Sequence, residues 1–256
     1  MKKQIQKELS RVEKEYSIKI LYACETGSRA WGFPSPNSDF DVRMLYVHPT
    51  EWYLSLDEKK DSIEIMLNDC ELDITGWELR KGLRLMRKSN ASMMERIQSP
   101  ITYIDDSVFI GDIHALAKDC FSPITTMYHY SNMAKSALAE VAISQPYKLK
   151  KLFYALRGAI ACQWIKSKQT IVPIVFEDML MQLDINQAIM HNIRILQSLK
   201  ATVDEGYMHH GEEKLILFIT ECIDPSSFKF GAFTKQKPIN GAIDSFFQNT
   251  LKTAWK

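Results

Sequence analysis

The hydrophobic period changes part-way along this chain, and the change limits the folds open to it. Between residues 16 and 77 the chain reads as strand-like stretches, the first of them, at 16–25, alternating and rich in β-branched and aromatic residues. From "WELRKGLRLMRKS" onward apolar residues recur every three or four positions. Alternation suits strands buried on one face, and the longer spacing suits amphipathic helices. Four strands are expected: "YSIKILYACE" (16–25), "DFDVRMLYV" (39–47), "DSIEIML" (61–67) and "CELDITGW" (70–77), with "NDC" as a tight turn before the last. A helix over residues 2–15 precedes them, with Ile5, Leu9 and Val12 on its apolar stripe. A short helix is expected at "EWYLSL". Another, at "SMMERIQ", would start with a capping box of Ser92 and Glu95 and be broken by "SP" at 99–100.

Beyond residue 109 the pattern is helical throughout. Helices are expected near 110–120, 123–143, 146–167, 173–182, 184–203 and 208–222. The final "FKFGAFTKQKPINGAIDSFFQNTLKTAWK" reads as a turn-rich start and a terminal helix. The expected fold class is α+β: a small mixed sheet over residues 1–108, followed by an all-helical domain over 109–256. The 256 residues suffice for such a core, and no repeat or low-complexity segment interrupts them.

A formal net charge of +1 makes the whole-protein field uninformative about partners, so nucleic-acid contact would have to come from local patches. Arg80, Lys81, Arg84, Arg87 and Lys88 form one such run, readable as a solvated helix face or as an RNA-backbone contact. The five cysteines, Cys24, Cys70, Cys120, Cys162 and Cys222, form no CxxC pair and read as reduced core thiols. No signal-peptide pattern and no run of about 20 apolar residues is present. A cytoplasmic location without membrane insertion is the expectation.

"CETGSRAWGFPSPNSDFDVRMLYV" carries the chemistry. Gly27-Ser28 ends the first strand; Asp39 and Asp41 open the second, and alternation points both carboxylates to one face. Paired carboxylates repel unless a cation lies between them, and Mg²⁺ is the usual hard, oxygen-seeking choice. Glycine lets backbone approach a phosphate, and a helix starting at "SRAWG" would add free N–H groups. Asp73, central in an apolar strand, is the candidate third carboxylate. Arg29 could clamp a phosphate or make a surface ion pair, and Arg43 faces the same side as Asp41 as a possible charge partner. A DxD alone is commonly turn chemistry. The conjunction of strand, Gly-Ser, turn, DxD, strand and a later strand Asp is what favours a site.

This constellation resembles the polymerase-β-like nucleotidyltransferase superfamily. "TGSRAWGFPSPNSDFDVRMLYV", "ELDITGWELRKGLRLMRKSNASMMERIQSPITY" and "YKLKKLFYALRGAIACQWI" more narrowly resemble the RlaP family, named for bacterial RNA-repair gene clusters. The resemblance implies a palm-like sheet with a helical second half. It also implies Mg²⁺-dependent nucleotidyl transfer (Mn²⁺ as an alternative) from an NTP, with Asp39, Asp41 and Asp73 as metal ligands. Gly27, Ser28 and Arg29 would hold phosphates. Lys150, Lys151, Tyr154 and Arg157 share a helical face that is either solvated or closes over the nucleotide, with Tyr154 stacking and Arg157 on phosphate. The acceptor expected first is an RNA end; a protein hydroxyl, a small molecule, or no acceptor at all in a nucleotide-binding regulator are the alternatives.

Overall fold

Residues 1–67, 71–141, 145–228 and 239–255 are described by the structure, a computed structural model. Helix α1 (Lys2–Tyr16) leads into β1 (Lys19–Glu25), the short α2 (Gly27–Trp31), β2 (Phe40–Val47) and α3 (Thr50–Tyr53). Then follow β3 (Ser62–Leu67), β4 (Leu72–Glu78), α4 (Leu79–Arg87), α5 (Ala91–Ile97), β5 (Thr102–Ile104) and α6 (Ser107–Cys120). The rest is α7 (Pro123–Leu138), β6 (Tyr147–Lys148), α8 (Leu149–Lys168), α9 (Phe176–Gln182), α10 (Gln187–Lys200), β7 (Met208–His209), α11 (Glu213–Cys222), a 3-10 turn (Pro225–Ser227) and α12 (Asn240–Ala254). The turn expected at 68–70, the thiol of Cys70 and the turn-rich segment at 229–238 lie outside the described residues.

Two compact units interleave along the chain. One comprises residues 1–27, 39–121 and 236–256; the other comprises 28–38 and 122–235. The sequence reading places a single cut after residue 108 instead.

The first unit is built on a mixed five-stranded sheet in the order β3-β4-β2-β1-β5, in which only β2 and β4 run parallel. Its core face carries Ile20, Ala23, Val42, Met44, Tyr46, Ile63, Leu72 and Ile74, covered by Ile5, Leu9 and Val12 of α1. Alternation then assigns Asp41, Arg43, Asp73, Thr75 and Trp77 to the opposite face. Helix α4 covers part of that face, where Gly82 leaves room for Leu45.

Local chemistry sets the helix starts. Glu78 ends β4 and caps α4, its carboxylate accepting from the backbone N–H groups of Arg80 and Lys81. The capping box expected at Ser92 is corrected: Asn90 is the N-cap of α5, accepting from Met93 N–H at 3.0 Å. Strand β5, three residues long, is too short to show a period and was not expected.

In the second unit, α8 is buried along most of its length against α7. Gly158 permits the approach, since a Cβ there would come within 2.7 Å of the Tyr130 carbonyl. Helix α8 starts at Leu149 and α11 at Glu213, later than the periodicity suggests, because Tyr147 and Lys148 pair with His209 and Met208 as a two-stranded ribbon. Segment 28–38 belongs here: Trp31 packs edge-on against Tyr154, and Phe33 packs against Phe153 and Phe176. Among the described residues no helix is long and apolar enough to cross a membrane. Cys24, Cys120, Cys162 and Cys222 are buried and unpaired to one another.

Candidate active site

Strands β2 and β4 bring the two central carboxylates together. Their parallel register places Asp41 directly beside Asp73, on the face away from the core. Between them stands Arg43, two residues along β2 and on the same face. Its Nη2 donates to Asp41 Oδ1 at 2.7 Å and to Asp73 Oδ2 at 2.8 Å. Nη1 donates to the backbone carbonyls of Val42 and Asp73, both at 3.1 Å. Thr75 supplies a further donor to Asp73 Oδ1 at 3.2 Å. All three charged side chains are largely withdrawn from water, which strengthens each interaction.

Burial pushes the Asp41 carboxyl above the usual carboxylate range; Arg43 opposes this, while the charges of Asp39 and Asp73 add to it. Asp39 is exposed just before β2, so it contributes charge to the cluster from its edge. Among the described residues no three acidic, histidine or cysteine side chains form a ready-made cage. The donor set nevertheless fits a hard divalent cation: it offers only carboxylate oxygens, and those oxygens are mutually repulsive and already gathered around one positive group.

Gly27 is where the turn meets this cluster. Its φ is +63°, and a Cβ would overlap Asp41 Oδ2 and lie 3.1 Å from Cγ. Only glycine lets the backbone enter that space unstrained. Thr26 pins the approach by donating through its N–H to the Asp41 carbonyl at 2.8 Å. Glu25, fully buried, accepts from the Asp41 N–H at 2.7 Å and from the Tyr103 hydroxyl. The sequence reading missed Glu25. Its signal was a carboxylate at the inner end of an otherwise apolar strand, where burial demands partners.

The remaining expected residues lie in the second unit. Ser28 donates to Ser38 Oγ at 3.1 Å, and Arg29 Nη2 reaches the Ser38 carbonyl at 2.5 Å, so both brace their own loop. Lys150 pairs with Glu205 and Lys151 with Glu140. Tyr154 is 37% exposed, whereas Arg157 is fully buried, stacked over Trp31 and donating to the Ile174 carbonyl at 2.9 Å. Lys150, Lys151, Tyr154 and Arg157 therefore do not present one common polar face, and Arg157 is a packing residue in this structure.

A second arginine was also missed. Arg96 of α5, 6% exposed, lies over the Trp77 ring with 3.3 Å between its Cζ and the ring centre. Its Nη1 has no hydrogen-bond partner among the described residues. Burial, and then the charge of Arg43, depress its pKa to about 9. The basic run of α4 is partly engaged: Arg80 lies over Trp52 and Tyr53, Lys81 pairs with Asp61 and Arg87 meets Asn240.

The sequence matches RlaP, described as the RNA repair pathway DNA polymerase beta family, over residues 1–249. The chain belongs to that family. Membership makes it a polymerase-β-like nucleotidyltransferase, an enzyme with a nucleotide substrate. A relative from Bacillus subtilis (strain 168), "Uncharacterized protein YcgL", is 37% identical over 259 residues, spanning 100% of this chain and 98% of its own. A solved nucleotidyltransferase-like protein from Exiguobacterium sibiricum 255-15 aligns over 96% of this chain and 75% of its own, at 8% identity and a TM-score of 0.30. At that TM-score the likeness adds nothing to the RlaP assignment, which rests on the sequence match.

Proposed function

We propose that this RlaP-family enzyme transfers a nucleoside monophosphate from an NTP to a hydroxyl at an RNA end, releasing pyrophosphate. The observation that carries the reading is the Asp41–Asp73 pair, set side by side by a parallel ladder and abutting a glycine turn. The preference for RNA follows from the family's description and stands as a proposal.

Asp39, Asp41 and Asp73 are the residues that would hold Mg²⁺ or Mn²⁺. Once bound, the ion would neutralise phosphate charge and acidify the attacking hydroxyl. Gly27 and the adjoining Ser28 offer the phosphate turn. Asp73 accepts the proton of the acceptor hydroxyl as its oxygen attacks the α-phosphorus. The bond from the α-phosphorus to its bridging oxygen breaks, and pyrophosphate leaves.

The test incubates the full chain with each α-labelled NTP, Mg²⁺ or Mn²⁺ and total RNA. Label should enter RNA with wild type. Asp41→Asn and Asp73→Asn should lower the rate by roughly a thousandfold or more while keeping the far-UV spectrum. Label in a protein band instead would overturn the RNA acceptor. Full activity in either variant would overturn the site.

A further inference from the structure

Arg43 occupies the space that a divalent cation would claim. One of its nitrogens bridges Asp41 and Asp73 at 2.7 and 2.8 Å, and the other anchors to two backbone carbonyls. A guanidinium there offsets one of the two carboxylate charges and holds apart two groups that would otherwise repel across the ladder. It also repels a dication approaching the same oxygens, in surroundings where charge interactions are stronger than in water.

We propose that Arg43 holds the cation's place until a nucleoside triphosphate arrives, so that metal and nucleotide load together. This rests on the reading of Asp41 and Asp73 as metal ligands. Arg43 can leave only if it gains another anion, and a triphosphate is one that its planar fork matches with paired hydrogen bonds. Arg96 adds a second reason for an anion on this face. It is a buried cation stacked on Trp77, interacts unfavourably with Arg43, and has a nitrogen without a partner among the described residues. A nucleotide's phosphates would relieve that repulsion while drawing Arg43 off the carboxylates. Free metal offers neither gain. The two ligands therefore have a positive coupling free energy, and each must tighten the other's binding by the same factor.

The experiment measures Mn²⁺ binding by the loss of the free-ion EPR signal. It uses the full chain, with and without nucleotides whose α,β-bridging oxygen is replaced by methylene, one for each base. Wild type should bind Mn²⁺ weakly alone, and with the preferred nucleotide it should remove more free ion than protein alone and nucleotide alone together account for. Arg43→Gln should bind Mn²⁺ alone tighter by about tenfold or more, because the competing occupant no longer lowers the fraction of competent sites, and most of the coupling should vanish. Arg43→Lys, which keeps the charge, should stay nearer wild type.

If Arg43→Gln binds Mn²⁺ no tighter than a wild type that does bind it with nucleotide, the proposal falls and the metal reading stands. If neither protein binds Mn²⁺ under any condition, both fall. Melting curves check folding. A variant that folds only with Mn²⁺ supports the proposal, and one that Mn²⁺ does not rescue overturns it.

Discussion

At Gly27 a hydrogen stands where every other residue would press a carbon into the Asp41 carboxylate. Alanine there meets two penalties: the left-handed backbone, about 1–2 kcal/mol for a residue with a Cβ, and displacement of Asp41 from Arg43 and Asp73. We expect Gly27→Ala to lower the melting temperature modestly. It should lower nucleotidyl transfer far more, by about a hundredfold or beyond, since misplaced reacting groups cost rate steeply. Parallel melting and single-turnover assays check this; a variant with normal turnover would mean the Asp41 position is not critical. Gly27, Asp41 and Asp73 were legible in the sequence because glycine before a helix and acids in apolar strands are locally anomalous. Arg43 was legible as a partner by alternation alone. Glu25 carried the same signal, an acid in an apolar strand, but its partner Tyr103 lies 78 residues away in sequence; Arg96 carried none, because its significance lies in its contact with Trp77, 19 residues away.

The ends of β2 and β4 away from the carboxylate pair meet a compact aromatic group. His48 stacks on Trp52 with centroids 4.3 Å apart, Tyr53 donates to Glu78, and Trp255 of the terminal segment donates to the His48 carbonyl at 2.8 Å. Burial, and then the nearby Lys59, push the His48 pKa down to about 4 from an ordinary 6.5. Above pH 6.5 the ring is neutral in both folded and unfolded chains, so it contributes no pH dependence. Below 6.5 the unfolded chain gains a proton that the folded chain refuses until about pH 4, and stability falls across that window. His48→Phe keeps a stacking ring and removes the titration. The melting temperature of wild type should therefore fall further between pH 7 and pH 4.5 than that of the variant, and equal losses would refute the linkage. Most elements were legible from period, whereas their boundaries were set by partners. Strand β5 and the β6–β7 ribbon are too short to carry a period, and the start of α5 is decided by Asn90 reaching Met93 N–H rather than by the equally plausible Ser92.

At the scale of the whole molecule, the chain passes between its two units at 27/28, 38/39, 121/122 and 235/236. Periodicity could not reveal this, because it reports which face is buried and not which unit buries it. The segment 28–38 lies between two sheet strands in sequence, yet its partners come from α8, α9, α10 and the turn that follows α10. Lys200, 3% exposed, donates to Ser35 Oγ at 2.9 Å. Glu205 accepts from Ser38 at 2.8 Å and from Lys150 at 3.1 Å, and its own N–H donates to Asn37 at 2.9 Å. Trp31 and Phe33 are buried among Tyr154, Phe153 and Phe176. A fragment ending at residue 108 would strip all of these from the loop beside Gly27. It would also lose α6 and α12, which contribute Phe109, Ile113 and Ile243 to the first unit's buried residues. Two large aromatics and the loop's polar groups would face water, and the buried apolar area that offsets chain entropy would shrink. We expect residues 1–108, expressed alone, to lack a cooperative urea transition and to bind a hydrophobic dye, while the full chain unfolds sigmoidally. A sharp transition in the fragment would show that the sheet specifies its own fold without the partners of 28–38. Without one, the sheet of the first unit depends on residues of that same unit beyond 108, α6 and α12 among them.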